Sequence, residues 1–132
     1  MHIHLSAADG VPPYLQIVQQ IKYLVASGRL APGEELSPIR VLAERLTVNP
    51  NTVARAYTEL ERAGLLVSRP GRGIYVAQPR NDLTRSARDR RLTEQLDRWL
   101  TEAVHLGYTA DEVLRLVARR VRAFRWQADG AA

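Results

Sequence analysis

Side chains that can read base pairs are clustered near the middle of the chain, between positions 49 and 55. Asn51 and Arg55 are four positions apart, and Thr52 and Arg55 are three apart, so a helix places all three on one surface. Arginine can bind guanine through two hydrogen bonds, asparagine can do the same with adenine, and the threonine methyl group fits against thymine. A solvated helix face is the alternative interpretation of any one of them. Their clustering favours contact with the bases of DNA.

Basic side chains flank this cluster on both sides. Arg40 precedes it, and Arg69 and Arg72 lie in the glycine-rich run from 69 to 73. Small residues at a hairpin tip allow a close approach to DNA, so we expect contacts with phosphates or with the minor groove. A solvated hairpin with incidental charges is the alternative. The full predicted DNA-binding set is Ser37, Arg40, Asn49, Asn51, Thr52, Arg55, Arg69, Gly71, Arg72 and Gly73.

Two short helices are predicted to position the base-reading side chains. Ser37 and Pro38 form a cap-and-proline start for the first helix, and Asn49 and Pro50 repeat that signal for the second. Gly64 ends the second helix in a left-handed cap. The apolar positions at helical spacing are Ile39, Leu42, Ala43 and Leu46 in the first helix, and Val53, Ala56, Tyr57, Leu60 and Ala63 in the second.

A hairpin follows the second helix and completes the motif. Runs rich in β-branched and aromatic residues at 65–67 and 74–76 flank a tip where Gly71 and Gly73 allow positive φ. The pattern predicts a winged helix-turn-helix, a mostly α fold with a small β wing. Such a fold places its second helix in the major groove and its wing on the flanking backbone or in the minor groove.

The N-terminal part is predicted to add one strand and one helix. Ile3 and Leu5 alternate with His2 and His4, which indicates a short leading strand. A helix then starts at Pro12-Pro13 and ends at Ser27-Gly28. Its predicted apolar face is Tyr14, Ile17, Val18, Ile21, Leu24 and Val25.

A second region is predicted to follow a linker at Gln78-Pro-Arg80. One long helix runs from about Asp82 to Leu106 and is stopped by Gly107. A capping box at 109–112 opens a last helix, and the tail from Gln127 is expected to be frayed. We therefore predict a DNA-binding domain over residues 1–77, and a linker with a two-helix dimerisation and possible effector region over 78–132.

The two C-terminal helices carry more apolar surface than a pair can bury. Helical bundles generally need three or four helices, so a second copy is expected to complete a four-helix arrangement. Packing of both helices back onto the winged domain is the alternative. The predicted dimer interface consists of Leu92, Leu96, Trp99, Leu100, Ala103, Leu116, Val117, Val121 and Phe124.

Charge and composition exclude several kinds of site and show what the prediction of DNA binding rests on. The net charge is +5, but residues 1–77 hold eight Lys and Arg against six Asp and Glu, and residues 78–132 hold eleven against eight. The prediction of DNA binding therefore rests on the motif and not on charge. The absence of cysteine excludes disulfides and thiolate metal sites. No segment has the length of a membrane span, and we expect a cytoplasmic protein.

No catalytic constellation is visible in the sequence. His2 and His4 would share one face of a strand and could bind a metal with a third ligand, but an ordinary surface is the favoured interpretation. We expect no enzymatic activity, no metal and no cofactor. A sequence-specific regulator is favoured over a non-specific architectural nucleic-acid binder, because the recognition surface holds bidentate side chains. A protein-interaction adaptor or small enzyme built on a winged scaffold is the third class.

Residues 13–77 resemble the DNA-binding domain of the GntR family of bacterial transcription regulators. The matching segments agree in order and spacing and cover about half of the chain. They are Tyr14-Leu-Gln-Ile-Val18, Ser27-Gly-Arg-Leu30, Pro32-Gly33, Arg40 with Leu42-Ala43, Asn51-Thr-Val53, Leu60-Glu61, Gly64-Leu65 and Gly71-Arg-Gly-Ile-Tyr-Val76.

The resemblance implies a function and also marks departures. Many members have Pro-Ser in place of Ser37-Pro38, and arginines in place of Pro50 and Ala54, so the usual family operator is not assumed here. The run from Asn49 to Val53 with a short C-terminal region looks like the YtrA-type subfamily. The resemblance implies a homodimer that represses its own operon, and we expect the dimer to bind a palindromic operator. Such operons often encode an ABC transporter, and release follows a small effector or another signal.

Overall fold

Five helices and one antiparallel pair of strands make up residues 1–7, 10–79 and 84–126, the parts of the chain that the computed structural model describes. The elements are α1 (Pro13–Ala26), α2 (Ile39–Leu46), α3 (Pro50–Arg62), β1 (Leu66–Arg69), β2 (Gly73–Val76), α4 (Arg85–His105) and α5 (Ala110–Val121). The predicted fold class is confirmed. The chain divides into two compact units, Met1–Arg80 and Asn81–Ala132. The predicted helix start at Asp82 and the tail from Gln127 lie outside the described residues.

The core of the first unit forms where α1 packs against α3. Apolar side chains recur at helical spacing on both helices, so each buries one stripe and exposes the opposite face. Full burial of one such aliphatic side chain contributes about 1.5–3 kcal/mol. The buried positions are Ile17, Val18, Ile21 and Leu24 on α1, and Val53, Ala56, Tyr57 and Leu60 on α3.

The start of α2 differs from the prediction. Pro38 occupies the N-cap position with φ −57° and ψ 151°, and no side chain caps this helix. The predicted Ser37 cap is therefore wrong, because the extended proline moves the helix start one residue beyond the reach of the serine hydroxyl. The Ser37 carbonyl oxygen instead accepts a hydrogen bond from the Tyr57 hydroxyl at 2.7 Å. This bond ties the entry of α2 to the middle of α3.

Both ends of α3 form as predicted. The Asn51 N–H donates to Oδ1 of the Asn49 side chain at 2.8 Å, which satisfies one of the free donors at the helix start. Gly64 has a φ of 82°, which glycine adopts without steric cost. Ala63 is exposed, so its predicted place in the apolar stripe is wrong, because it is the C-cap residue and lies past the last helical turn.

The turn between α2 and α3 contains a strained residue. Thr47 has φ 56° and ψ 50°, the left-handed conformation that β-branched residues adopt only at a cost. The Thr47 N–H donates to the Glu44 carbonyl at 3.2 Å, and the Val48 N–H donates to the Ala43 carbonyl at 3.0 Å. These bonds close the end of α2 and hold the turn tight.

The wing has a third backbone partner that the sequence pattern did not reveal. β1 and β2 pair with Leu66 opposite Val76, and Arg69 opposite Gly73. The segment 33–36 adds hydrogen bonds on the other side of β2. The Gly33 N–H donates to the Val76 carbonyl at 2.8 Å, and the Val76 N–H donates to the Glu34 carbonyl at 2.9 Å. The wing is thereby tied to the segment that leads into α2.

The predicted leading strand is wrong. Residues 1–7 form no strand, although Ile3 is buried and its two histidine neighbours are exposed, as the alternation indicated. Side-chain amides of α1 replace a partner strand. Gln20 exchanges hydrogen bonds with the backbone of His4, and Gln16 does the same with Ser6 at 2.7 and 2.8 Å. Gln16 is buried, and these hydrogen bonds satisfy its side-chain amide.

The second unit consists of α4, a short connection and α5. Thr84 caps α4 by accepting from the Ala87 N–H at 3.2 Å, and Gly107 follows the helix with a φ of 83°. The predicted capping box of α5 is confirmed, with both hydrogen bonds between Thr109 and Glu112 present. These bonds lower the pKa of Glu112. They favour its charged form at the positive end of the helix.

The Tyr57 hydroxyl gives a test of how α2 is anchored. Burial raises the pKa of Tyr57 to about 12, with the charge of Arg45 acting in the opposite direction. The unfolded state releases this proton near pH 10, so the folded state holds the extra proton between about pH 10 and 12. The contribution to stability is therefore complete below pH 10 and is lost as the pH rises toward 12. Tyr57→Phe removes the hydrogen bond to Ser37, so the free energy of unfolding at pH 7 should be about 1 kcal/mol lower than in the wild type. Above pH 10, the free energy of unfolding of the variant should fall less steeply with pH than that of the wild type.

Denaturant unfolding between pH 7 and 11 measures both effects. Tyr108→Phe is the matched control, because Tyr108 is exposed in the second unit. If Tyr57→Phe and the wild type lose stability with the same slope above pH 10, the burial of the hydroxyl does not govern the alkaline limit.

Candidate nucleic-acid interface

The outward face of α3 presents the predicted base-reading residues in its first two turns. Asn51 and Arg55 are exposed, and Thr52 is half-buried. The face opposite to them is the buried stripe that packs on α1 and α2. Burial of that stripe decides which side of α3 is exposed, so the three residues lie on the surface that a groove can receive.

Asn49 has a structural task at the start of the same helix. Its side-chain oxygen caps α3, which leaves the N–H groups of the amide to donate to a base or a phosphate. The side chain is exposed, as such a contact requires. The helix start also presents the positive end of the helix dipole, which favours a negatively charged partner.

The guanidinium group of Arg55 lies over an aromatic ring. Its central carbon is 3.7 Å from the centroid of the Tyr14 ring, within the range of a cation–π contact. The sequence pattern placed Tyr14 only in the apolar face of α1. The ring is half-buried against the core, and it leaves one face for the arginine. Nothing in the spacing of the two residues indicates this contact, because it depends on how α1 crosses α3.

The second half of the exposed face of α3 is less suited to DNA. Arg62 forms an ion pair with Glu59 at 3.1 Å, and the two side chains are 71% and 43% exposed, respectively. A carboxylate on this part of the helix repels phosphates, and it also neutralises the neighbouring arginine. The chemistry of the helix therefore favours its N-terminal half as the part that enters a groove.

Arg40 lies in the first turn of α2 and is exposed. It lines an open depression with Asn49 and Pro50, where α2 meets the start of α3. Ser37 is half-buried, and its carbonyl is occupied by Tyr57. Arg40 and Asn49 are thus brought together on one surface, whereas Ser37 acts first as an anchor.

The wing exposes Arg69 and Arg72. A three-residue loop joins the strands, and the Arg72 N–H donates to the Arg69 carbonyl at 2.9 Å. Gly71 follows Pro70 with a φ of 73°, as a type II turn requires. Gly73 has a φ of 131°, which residues with a side chain rarely adopt, so this position needs glycine for its backbone conformation.

The side chain of Glu35 lies beside the wing, close to Gly73 and Tyr75. Partial burial and a hydrogen bond with Glu35 raise the pKa of Tyr75. The guanidinium carbon of Arg69 lies 5.4 Å from the Tyr75 ring centroid. Arg69 thus lies near a ring that is itself hydrogen-bonded to a carboxylate, whereas Arg72 lies in the loop at the tip of the wing.

The second unit exposes most of the predicted dimer residues. Leu92 is 66% exposed, Leu96 49% and Trp99 39%, and Val117 and Val121 are similar. Leu100, Leu116 and Phe124 are half-buried, and Ala103 is buried within the helix pair beside Val113. A groove of about 380 Å³ runs along this face. Its lining is Leu96, Trp99, Leu116, Val117, Arg120, Val121, Phe124 and Trp126.

Trp126 also lines this groove, although the helical spacing of α5 does not predict it. Its indole N–H donates to the Val121 carbonyl at 2.7 Å, so the ring is held beside the end of α5. The signal that was available is composition, since a second tryptophan close to the apolar stripe of α5 adds to the same face.

No metal-binding group of three or more His, Asp or Glu side chains occurs among the described residues. The Nε2 atoms of His2 and His4 are 3.2 Å apart on the surface. In the same parts of the chain, no helix is both long enough and apolar enough to cross a membrane.

Comparison with known proteins agrees with this geometry. Residues 13–76 match the family described as bacterial regulatory proteins, gntR family. The HTH-type transcriptional regulator YhcF of Bacillus subtilis is 36% identical over 103 residues, which are 78% of this chain and 84% of YhcF. The HTH-type transcriptional repressor YtrA of the same organism is 33% identical over 111 residues, which are 84% of this chain and 85% of YtrA.

Solved structures share the fold. A protein described as a transcriptional antiterminator from Listeria monocytogenes EGD-e superposes with a TM-score of 0.77 at 30% identity, covering 98% of each chain. YtrA from Sulfolobus acidocaldarius, a GntR-family transcription factor, gives 0.58 at 34% identity over 72% of this chain and 97% of its own. The DNA-binding domain of AraR in complex with an operator gives 0.50 at 26% identity, over 58% of this chain and 94% of that domain.

Proposed function

The chain belongs to the gntR family of bacterial regulatory proteins, and we propose that it is a homodimeric repressor that reads a palindromic operator through the start of α3. It is a DNA-binding transcription regulator with a winged helix-turn-helix, and not an enzyme. Its similarity to the YtrA proteins supports the YtrA-type subfamily. The observation that carries the proposal is the exposed N-terminal face of α3, with its capped start and its stacked arginine.

In the proposed complex, α3 enters the major groove with its N-terminal end first. Arg55 donates to guanine, Asn51 pairs with adenine, and the Thr52 methyl group contacts thymine. Arg40 and the wing arginine Arg72 contact phosphates or the groove edge on either side of α3, and so fix its register. The operator complex of the related AraR domain supports such a use of this fold.

Dimerisation is proposed for the region from 78 to 132, and DNA binding for residues 1–77. The apolar groove of α4 and α5 supports this division, because several large side chains on it are 38–64% exposed. A second copy that contributes the same two helices completes a four-helix arrangement around a two-fold axis. The two-fold axis then pairs with the dyad of a palindromic site.

Repression is proposed from the function of a relative. YtrA of Bacillus subtilis is named a transcriptional repressor, and the chain covers 85% of it. The subfamily resemblance further supports control of the chain's own operon, with an ABC transporter as the encoded product. A regulator of bacterial operons acts on the chromosome, which places it in the cytoplasm. A small effector would act by favouring one separation of the two α3 helices over another.

Arg55 is expected to read one base pair in each half-site. Arg55→Ala should weaken binding to a duplex selected from a random pool by about 1–3 kcal/mol, and should relax the preference at one position. Titration of selected and scrambled duplexes measures both effects. Arg62→Ala is the control on the same helix, since Arg62 is paired with Glu59. Equal weakening on both duplexes would show that Arg55 contacts only phosphate.

Arg40 and Arg72 are expected to bind phosphates. Each alanine variant should weaken binding to every sequence and reduce the slope of log K against log salt concentration by about one. Arg115→Ala is the control, because Arg115 lies on α5 and pairs with Asp111 at 3.1 Å. Titrations at several salt concentrations give the slope, and an unchanged slope in both variants contradicts the assignment.

The dimer interface can be tested with matched charge insertions. Leu96→Glu places a carboxylate in the apolar groove and should convert the protein to a monomer with sharply reduced operator affinity. Val104→Glu is the control, because Val104 is 71% exposed on α4 and does not line the groove. Sedimentation equilibrium measures the oligomeric state. A dimer of unchanged affinity in the Leu96→Glu variant would show that this face is not the interface.

A further inference from the structure

A tyrosine on α1 holds the proposed base-reading arginine of α3 in the free protein. The Arg55 guanidinium carbon lies 3.7 Å from the Tyr14 ring centroid, whereas the distance from Arg69 to the Tyr75 centroid is 5.4 Å. We propose that Tyr14 is a positioning residue that sets the sequence specificity of Arg55. This inference rests on the proposed function of Arg55.

Stacking on a ring and donation to a base use different parts of the guanidinium group. The cation–π contact uses the flat face of the group, while all five N–H donors lie in its plane and point outward from the edge. Arg55 can therefore remain on Tyr14 and still form two parallel hydrogen bonds with guanine. The ring restricts the rotation of the guanidinium plane and leaves its donors free for the groove.

Tyr14 is itself fixed by the start of α1. The Leu15 and Gln16 N–H groups donate to the Pro12 carbonyl at 3.0 and 3.1 Å, so the first turn is closed on both sides of the tyrosine backbone. The buried Gln16 side chain also donates to the carbonyl oxygens of Ser6 and Val11. The ring packs against the core, and α1 packs against α3. The platform under Arg55 thus belongs to the rigid body of the domain.

Preorganisation of this kind acts on specificity more than on general affinity. A free arginine side chain loses rotamer entropy when it is ordered on a base, and a stacked one has lost part of it already. An unstacked arginine can also turn to a nearby phosphate, which any sequence provides. Removal of the ring should therefore weaken binding to the selected duplex and leave binding to scrambled DNA nearly unchanged.

The experiment compares Tyr14→Phe and Tyr14→Leu in the full-length protein. Phenylalanine keeps the ring face and should bind like the wild type. Leucine removes the ring, and the ratio of selected to scrambled affinity should fall about two- to fivefold, the size expected of an exposed cation–π contact. Tyr23→Leu is the control, since Tyr23 is a partly exposed tyrosine on the same helix.

Two further measurements separate positioning from a structural effect. In an Arg55→Ala background, Tyr14→Leu should cause no additional loss of specificity, because its effect passes through Arg55. In the free protein, NMR should show upfield ring-current shifts of the Arg55 side-chain protons in the wild type and in Tyr14→Phe, but not in Tyr14→Leu. Thermal unfolding checks that each variant is folded.

The outcomes distinguish this inference from the proposed function. If Arg55→Ala leaves specificity unchanged, Arg55 does not read a base and both proposals are wrong. If Arg55→Ala abolishes specificity at one position, but Tyr14→Leu has no effect or adds fully to it, the base contact stands and the positioning role of Tyr14 is overturned. Loss of binding in Tyr14→Phe would show that the hydroxyl acts instead of the ring.

Discussion

The packing of α1 across α3 is the constraint on which the rest of the first unit depends. Ile17 and Ile21 of α1, and Val53, Ala56 and Leu60 of α3, are completely buried in one shared core. Because α3 must turn this stripe inward, its opposite face is fixed toward solvent without any contribution from the polar residues themselves. The same crossing brings the first turn of α1 beside α3, where a tyrosine ring lies under an arginine. Core packing therefore decides both which residues can meet DNA and how one of them is held.

A small number of hydrogen bonds then connects the remaining elements to that core. The Tyr57 hydroxyl ties the entry of α2 to α3, and the segment 33–36 ties β2 to the same entry. Movement of the wing relative to α3 would break these bonds. The arginines of the wing and of α2 therefore keep a fixed distance from the exposed N-terminal face of α3. A rigid first unit is compatible with the proposed dimer, in which an effector would have to move only whole units.

The sequence predicts the structure correctly where interactions between residues close in the chain determine it. Helical spacing located all five helices, and proline, asparagine, threonine and glycine signals placed the caps of α3 and α5. It was insufficient where distant segments meet. The Ser37 carbonyl is used by Tyr57, Gln16 and Gln20 take the place of a partner strand, and Tyr14 stacks on Arg55. Each of these contacts depends on how segments distant in sequence pack together, and residue spacing within one element carries no information about that packing.

Selection of bound sites from a random duplex pool by the full chain shows whether two copies of α3 read DNA by sequence. We expect one enriched inverted repeat whose half-site centres are separated by about 34 Å, one helical turn, or by a multiple of it. A guanine should be invariant in each half-site, opposite the position of Arg55. A recovered pool with no preferred sequence would show that the protein binds only the phosphates, and would contradict sequence-specific reading by α3.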